Sequence, residues 1–186
     1  MTPPLRPTTR DAIIEAAFNT LSRDPSASLS DIADHAGVGR ATLHRHFASR
    51  DDLVRALALI AIDEMDRAAE AACAHTNSYA EAFENTLIAL IPLGDRHGFL
   101  AGEPVEDDPG IADAFARQQN ETRALVDAAK AEGLFDPSVP TEWVVQAFDH
   151  LLYAGWQSVK DGDATHRQAA DLAWRTLTIG LARKDR

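Results

Sequence analysis

Arg40, Ala41, Thr42, His44, Arg45 and His46 fall within one span of seven residues, and their side chains suit the recognition of anions and of flat polar edges. An arginine fork matches a phosphate, or the O6/N7 edge of guanine, with two parallel hydrogen bonds. Threonine and histidine add short donors, and alanine leaves room for a base edge. Arg50 and Arg55 extend the basic cluster. The same span does not suit metal binding, because His44 and His46 stand two residues apart and two such positions do not share a helix face. Catalytic patterns are missing from the whole chain: there is no Glu-x-x-His metal pairing, no nucleophile elbow and no glycine-rich phosphate loop. His97 and His150, as acid–base groups of a helical enzyme, are a remote alternative.

Charge is distributed so as to spare this cluster. The 186-residue chain has a net charge of -11, yet residues 1–55 carry seven Arg against seven Asp or Glu. The remaining 11 basic and 22 acidic residues put the whole excess after that segment. A local basic footprint meets phosphate whatever the overall charge. The 45% hydrophobic content is that of a globular chain. No apolar run of about 18 residues could span a membrane, and the proline-containing stretch Met1–Arg10 lacks the apolar centre of a signal peptide. A lone cysteine, Cys73, allows no internal disulfide. These features together point to the cytoplasm.

The elements that must position the cluster are helices. Ile13, Ala16, Ala17, Phe18 and Leu21 form an apolar stripe behind a start signal at Thr8 or Thr9. Ser28 and Asp31 resemble a capping box for a short second helix, with Leu29, Ile32, Ala33 and Ala36 inward. Gly37 suits a left-handed stop, and Val38 and Leu43 suit the wedge between that helix and the next. Two short helices joined by a tight turn form a helix-turn-helix, whose second helix presents Arg40 to His46 to a major groove. A long helix follows from about Asp51 to Ala74. Further helices are expected over Tyr79–Gly94 (kinked or ended by Pro92), Ile111–Glu132, a span capped by Thr141, and Thr165–Ala182. Gly98–Pro109 reads as a connection with at most one helical turn. Its acidic residues, Glu103 to Asp108, read as a solvated loop. The fold class is all-α with about nine helices.

The stretch from Thr8 to about Leu57 resembles the DNA-binding domain of the tetracycline-repressor (TetR) family. Asp31-Ile32-Ala33, Ala36-Gly37-Val38, Thr42-Leu43, His46-Phe47 and Asp52-Leu53 carry the match. Gly39 and His44 depart from it, standing where the family usually has serine and tyrosine. Glycine gives a weaker N-cap than serine. A histidine in place of tyrosine implies operator affinity that depends on pH between about 6 and 7. The resemblance implies an N-terminal helix-turn-helix domain, residues 1–55, and a C-terminal helical ligand-binding and dimerisation domain, residues 56–186. It implies phosphate contacts from Ser28 or Ser30, Thr42, His44, His46 and Arg50, and base contacts from Arg40, Ala41 and Arg45.

The resemblance also implies an inducer cavity among the middle helices. Phe83, Leu87, Arg96, His97, Phe99, Phe115, Gln119, Arg123, Phe148, Leu152 and Trp156 are its candidate lining, with Gln118, Asn120, His150 and Gln157 as further polar candidates. Buried aromatics in a bundle are otherwise ordinary core. Family members dimerise through their last two helices. Ala147, Leu151, Ala154, Ala169, Ala173, Leu177 and Gly180 are the small and leucine positions that suit such an interface, or alternatively intrachain packing. The expected partners are therefore operator double-stranded DNA, a second copy of the chain and an unidentified small-molecule inducer, with no membrane, metal or cofactor. A DNA-binding regulator without a ligand is the alternative.

Overall fold

The computed structural model describes residues 8–102 and 108–181, and they are helical apart from turns and short connections. Helix α1 (Thr9–Leu21) opens with a complete capping box: Asp11 N–H donates to Thr8 Oγ1, and Thr8 N–H donates to Asp11 Oδ2. The cap is thus Thr8 rather than Thr9. Helix α2 (Leu29–His35) repeats the device with Ser28 and Asp31. Helix α3 (Arg40–His46) starts from Gly39, which provides no side-chain cap. Between α2 and α3, Gly37 takes φ 67°, and Val38 N–H donates back to Ala33 O at 3.0 Å. Such a positive φ costs a residue with a Cβ about 1 kcal/mol or more.

Helix α4 (Arg50–Cys73) follows, then α5 (Tyr79–Leu90), a 3-10 turn at Ile91–Leu93 that contains Pro92, and α6 (Gly94–Gly102). Helix α7 covers Pro109–Glu132, α8 covers Thr141–Lys160 and α9 covers His166–Leu181. Two expectations need correction. The stretch Gly98–Pro109 reads as a connection because of its prolines and acidic residues, yet its first residues belong to α6, anchored by the wholly buried Phe99. Thr141 does not cap α8. Pro140 occupies the cap position, while Thr141 Oγ1 donates to Asp127 and accepts from Lys130. No helix among the described residues is long and apolar enough to cross a membrane. Of the acidic stretch, Glu103, Glu106 and Asp107 lie outside the described residues.

The chain forms two compact units. One joins the residues up to Ala61 with Asp95–Ile111, and the other joins Ile62–Gly94 with the residues from Ala112 onward. In the first unit, Ile13, Ala17, Phe18, Leu21, Ile32, Ala33, Leu43, Leu53 and Leu57 are buried, each large side chain contributing about 1.5–3 kcal/mol. Phe99 of α6 meets Phe18 of α1 edge to face, with centroids 5.5 Å apart. Arg96 is buried beside them: its guanidinium lies 4.5 Å over the Phe18 ring and pairs with Asp95 and with Glu15 of α1. A buried guanidinium needs such partners to offset its desolvation. In the second unit, α9 packs on α8 and α5. Phe83 meets both Phe135 and Phe148 edge to face at 5.4 Å. Close approaches are made at glycines: a Cβ on Gly94 would stand 1.4 Å from Trp156 Cδ1, and one on Gly155 would stand 2.8 Å from Ile91 Cδ1.

Candidate nucleic-acid interface

Helices α2 and α3 pack through Ile32, Ala33 and Leu43, which are all but inaccessible to solvent. That packing turns the opposite face of α3 outward, so Arg40, Ala41, His44, Arg45 and His46 are exposed and Thr42 is half-buried. Ser28, Leu29, Ser30, Arg40, Leu43 and His44 line an open groove of about 370 Å³. Of the expected α3 contact residues, Arg40 and His44 share this groove with Ser28 and Ser30.

Hydrogen bonds organise this surface. Arg40 Nε–H donates to Ser30 Oγ at 2.8 Å and ties the first turn of α3 to α2. Arg45 Nη2 donates to Thr42 Oγ1 one turn back, at 3.2 Å. Ser28 is occupied by its cap: its hydroxyl donates to Asp31 Oδ2 at 2.7 Å, and its N–H donates to the same oxygen at 2.8 Å. The hydroxyl bond, then the backbone bond, hold the Asp31 carboxyl below the ordinary carboxylate range, and Arg40 adds to the shift. Arg50 reaches Pro25 O at 2.6 Å, so it braces the turn between α1 and α2. Arg10 stacks on Phe47 at the end of α3, 5.4 Å from the ring centroid. Arg55 pairs with Asp108 at 2.6 Å, and Asp108 also accepts from Gly110 N–H and Ile111 N–H at the start of α7. The Arg55 guanidinium is the main reason the Asp108 carboxyl lies below its ordinary range. Among the described residues no group of three or more His, Cys, Asp or Glu is placed to hold a metal ion.

The residues expected to line a ligand cavity are divided. Arg96, His97 and Phe99 belong to the first unit, where Arg96 and Phe99 are engaged with α1. Phe83, Leu87, Phe115, Gln119, Arg123, Phe148, Leu152 and Trp156 belong to the second unit. Of these, Phe83, Leu87, Phe148 and Leu152 are core, Phe115 and Trp156 are half-buried and Gln119 is exposed. Arg123 is bound to Glu142, Asn120 and Gln119. Asp149 was missed in the sequence. It is a half-buried carboxylate on α8, and burial pushes it up to about 6. The signal was available: Asp149 interrupts an apolar run, four residues after Val145 and three before Leu152.

Ala169, Ala173 and Leu177 were expected at a dimer interface, but they are buried within the chain and serve intrachain packing. Positions spaced by four form one face of α9, and that face turns inward. Ala147 and Leu151 are half-buried, and Ala154 and Gly180 are exposed. The outward apolar residues of the pair are Trp143, Tyr153, Leu172 and Ile179, of which Trp143 is 64% and Ile179 75% accessible.

A basic, outward-facing second helix on a capped helix-turn-helix, joined to a helical second unit, defines a DNA-binding transcriptional regulator. The profile described as bacterial regulatory proteins, tetR family, matches residues 13–57. The chain is 34% identical over 177 residues to the HTH-type transcriptional repressor LfrR of Mycolicibacterium smegmatis, covering 95% of this chain and 92% of that one. The crystal structure of the TetR-like regulator LfrR from Mycobacterium smegmatis in complex with proflavine superposes with a TM-score of 0.75 at 32% identity, covering 95% of this chain and 99% of that one. The ketosteroid regulator KstR2 of Mycobacterium tuberculosis shares the fold, with a TM-score of 0.80 at 19% identity over 97% of this chain and 98% of that one. The chain belongs to the TetR family of transcriptional regulators, and it is not an enzyme.

Proposed function

We propose that the protein is a repressor that binds palindromic operator DNA as a homodimer and leaves it when a small molecule binds the second unit. The observation that carries the DNA part is the shared surface of α2 and α3, with Arg40, Ala41, His44, Arg45 and His46 exposed together. Arg40 and Arg45, with Ala41, read base edges. Ser30, Thr42, His44 and His46 hold phosphate, Ser28 keeps the α2 N-terminus in place beside it, and Arg50 supports the surface from behind. Two copies set their recognition helices about 34–36 Å apart to match successive half-sites. The outward apolar residues of α8 and α9, Trp143, Tyr153, Leu172 and Ile179, support dimerisation through that helix pair, with Ala147, Leu151, Ala154 and Gly180 at its margins.

Ligand response operates as a population shift: the small molecule favours a conformation whose recognition helices no longer match the half-sites. Linkage requires the operator to weaken ligand binding by the same factor. The relative crystallised with proflavine supports a small-molecule effector for this chain. The DNA role falls to residues 1–55 and the ligand and partner roles to residues 56–186, apart from Asp95–Ile111, which pack with the first unit. Binding to the DNA upstream of the protein's own coding region, at two salt concentrations, tests the reading. Wild type binds tightly and loses affinity as salt rises. Arg40→Ala weakens the preferred operator roughly tenfold or more, as loss of a bidentate base contact should. Thr42→Ala weakens all DNA sequences alike. Binding no tighter than to random DNA, in a genome-wide site selection as well, would overturn the reading.

A further inference from the structure

Ser30 stands in the first turn of α2 and Arg40 opens α3. The turn at Gly37 brings these residues, ten apart in the chain, together: Arg40 Nε–H donates to Ser30 Oγ at 2.8 Å. Ser30 is half-buried and Arg40 is exposed, so the bond fixes the root of the guanidinium and leaves its far end at the groove that both residues line with Ser28 and His44. A guanidinium offers two forks, one through Nε and a terminal nitrogen, the other through the two terminal nitrogens. Ser30 closes the first and leaves the second. The adjoining carboxylate, Asp31, is taken up by the Ser28 hydroxyl and N–H. Arg40 is therefore anchored on a neutral oxygen and keeps its charge for the DNA.

Arg45 is held differently. Its Nη2 donates to Thr42 Oγ1 at 3.2 Å, within one turn of its own helix, so the tie uses a terminal nitrogen and is local to α3. The Arg40 anchor stands on another helix and spares both terminal nitrogens. That difference decides what each arginine can select. An arginine free to swing settles for a single bond, to a thymine O4, an adenine N7 or a phosphate. An arginine confined to its terminal fork aims two parallel donors in one direction. Guanine alone among the bases offers two adjoining acceptors, O6 and N7, on its major-groove edge. Against adenine one donor meets an amino group and is left unpaired in a groove emptied of water, which costs more than a bond merely not gained. Ser30 Oγ accepts from Arg40, and its own hydroxyl hydrogen goes to no described residue. The same oxygen can thus donate to a phosphate, so one atom serves a backbone contact and a base contact.

We propose that Ser30 is the positioning residue that makes Arg40 a guanine reader: it confines the guanidinium to its terminal fork, from a helix that itself rests on the DNA backbone. The proposal rests on the operator-binding reading above and names the base selected, a guanine in each half-site. Ser30 sets which base is accepted and touches none of them.

The experiment uses the full-length protein and a pool of double-stranded DNA with a randomised segment. Duplexes selected by wild type are substituted one base pair at a time. Their affinities are then measured for wild type, Arg40→Ala, Ser30→Ala, Ser30→Thr, Thr42→Ala and the double variant of Arg40→Ala with Ser30→Ala. Wild type should prefer guanine at one position of each half-site by roughly tenfold, and Arg40→Ala should erase that preference. Ser30→Ala should cut the same preference at least about threefold and leave the preferences at other positions in place. Ser30→Thr, which keeps the hydroxyl, should restore it. With Arg40→Ala already present, Ser30→Ala should change no base preference. Thr42→Ala should weaken all duplexes and leave the guanine preference as it was. Ser30→Ala should keep the helical content of wild type in circular dichroism, because the cap of α2 belongs to Ser28. If Ser30→Ala weakens every duplex alike and retains the guanine preference, Ser30 is a phosphate contact only and the proposal is overturned. A guanine preference that survives Arg40→Ala overturns it as well, while the operator-binding reading stands. If wild type enriches no sequence from the pool, the operator-binding reading falls and the proposal falls with it.

Discussion

Helix pairs α2–α3 and α8–α9 each bury an apolar seam, yet they expose opposite chemistry. The first pair hides Ile32, Ala33 and Leu43 and shows arginine and histidine. The second hides Ala169, Ala173 and Leu177 and shows Trp143, Tyr153, Leu172 and Ile179. The buried apolar residues therefore mark where two helices approach within one chain. What remains outside says which partner is suited to the pair: a polyanion for the first, an apolar protein surface for the second.

Reversing the chemistry of the second pair is the strongest way to break this contrast. Leu172→Glu combined with Ile179→Glu should convert dimer to monomer in sedimentation. Operator affinity should then fall by about a hundredfold or more, as bivalent contact is lost. Secondary structure should hold, because both side chains already face water. A double variant that stays dimeric would move the interface off α9.

A smaller effect separates packing from partner binding. Gly94→Ala should cost about 1–3 kcal/mol in chemical denaturation, because the new Cβ stands where Trp156 Cδ1 now is. Tryptophan fluorescence should shift as that indole is displaced, while Gly155→Ala, opposite the free end of Ile91, should cost less.

Titration of Asp149 offers a comparison of similar size. Its carboxyl is raised by burial to about 6, with His150 partly opposing the shift. A raised folded value favours the protonated form. Its contribution to stability is fully present below the unfolded value near 3.8 and is lost as pH rises through about 6. Asp149→Asn should therefore be more stable than wild type at pH 8, by roughly 1–2 kcal/mol. The two should converge below about pH 4, as urea titrations at both pH values would show. Asp31 has the opposite sign: its carboxyl is lowered by Ser28, so the cap it completes is present above the unfolded value and is lost on acidification.

The smallest change sharpens the first pair. Gly39→Ser should stabilise α3 by a few tenths of a kcal/mol, because serine caps better than glycine. Gly39 has an ordinary φ of -72° and open space around a new Cβ. Thermal melts at matched conditions would detect the gain, and a loss would mean that the glycine is held for another reason.

Legibility in the sequence followed the range of the interactions. Ser28 with Asp31, Gly37 and the α3 donors act over three to ten residues, so their types and spacing suffice to place them. Helix α6 was hidden because Gly94, Gly98 and Gly102 argue against a helix locally. Its anchors, Arg96 and Phe99, find Glu15 and Phe18 some eighty residues earlier in the chain. Ala169, Ala173 and Leu177 have a spacing that fits either neighbour. Only the burial of that face distinguishes the chain's own core from a second copy. Asp149 was overlooked because an acid on a long helix is ordinary, and what singles it out is its burial in three dimensions without a hydrogen bond from a described residue.

The bond from Arg40 to Ser30 has a kinetic consequence. An arginine that approaches DNA freely loses rotamer freedom on docking, roughly 0.5–1.5 kcal/mol for one such side chain. Here that ordering is accomplished in part when the protein folds, because Ser30 holds the Nε–H and leaves the two terminal nitrogens of the fork toward solvent. On the proposed reading, Ser30 thereby acts on association without touching a base: it holds Arg40 so that encounters with the groove begin from the reaching conformation.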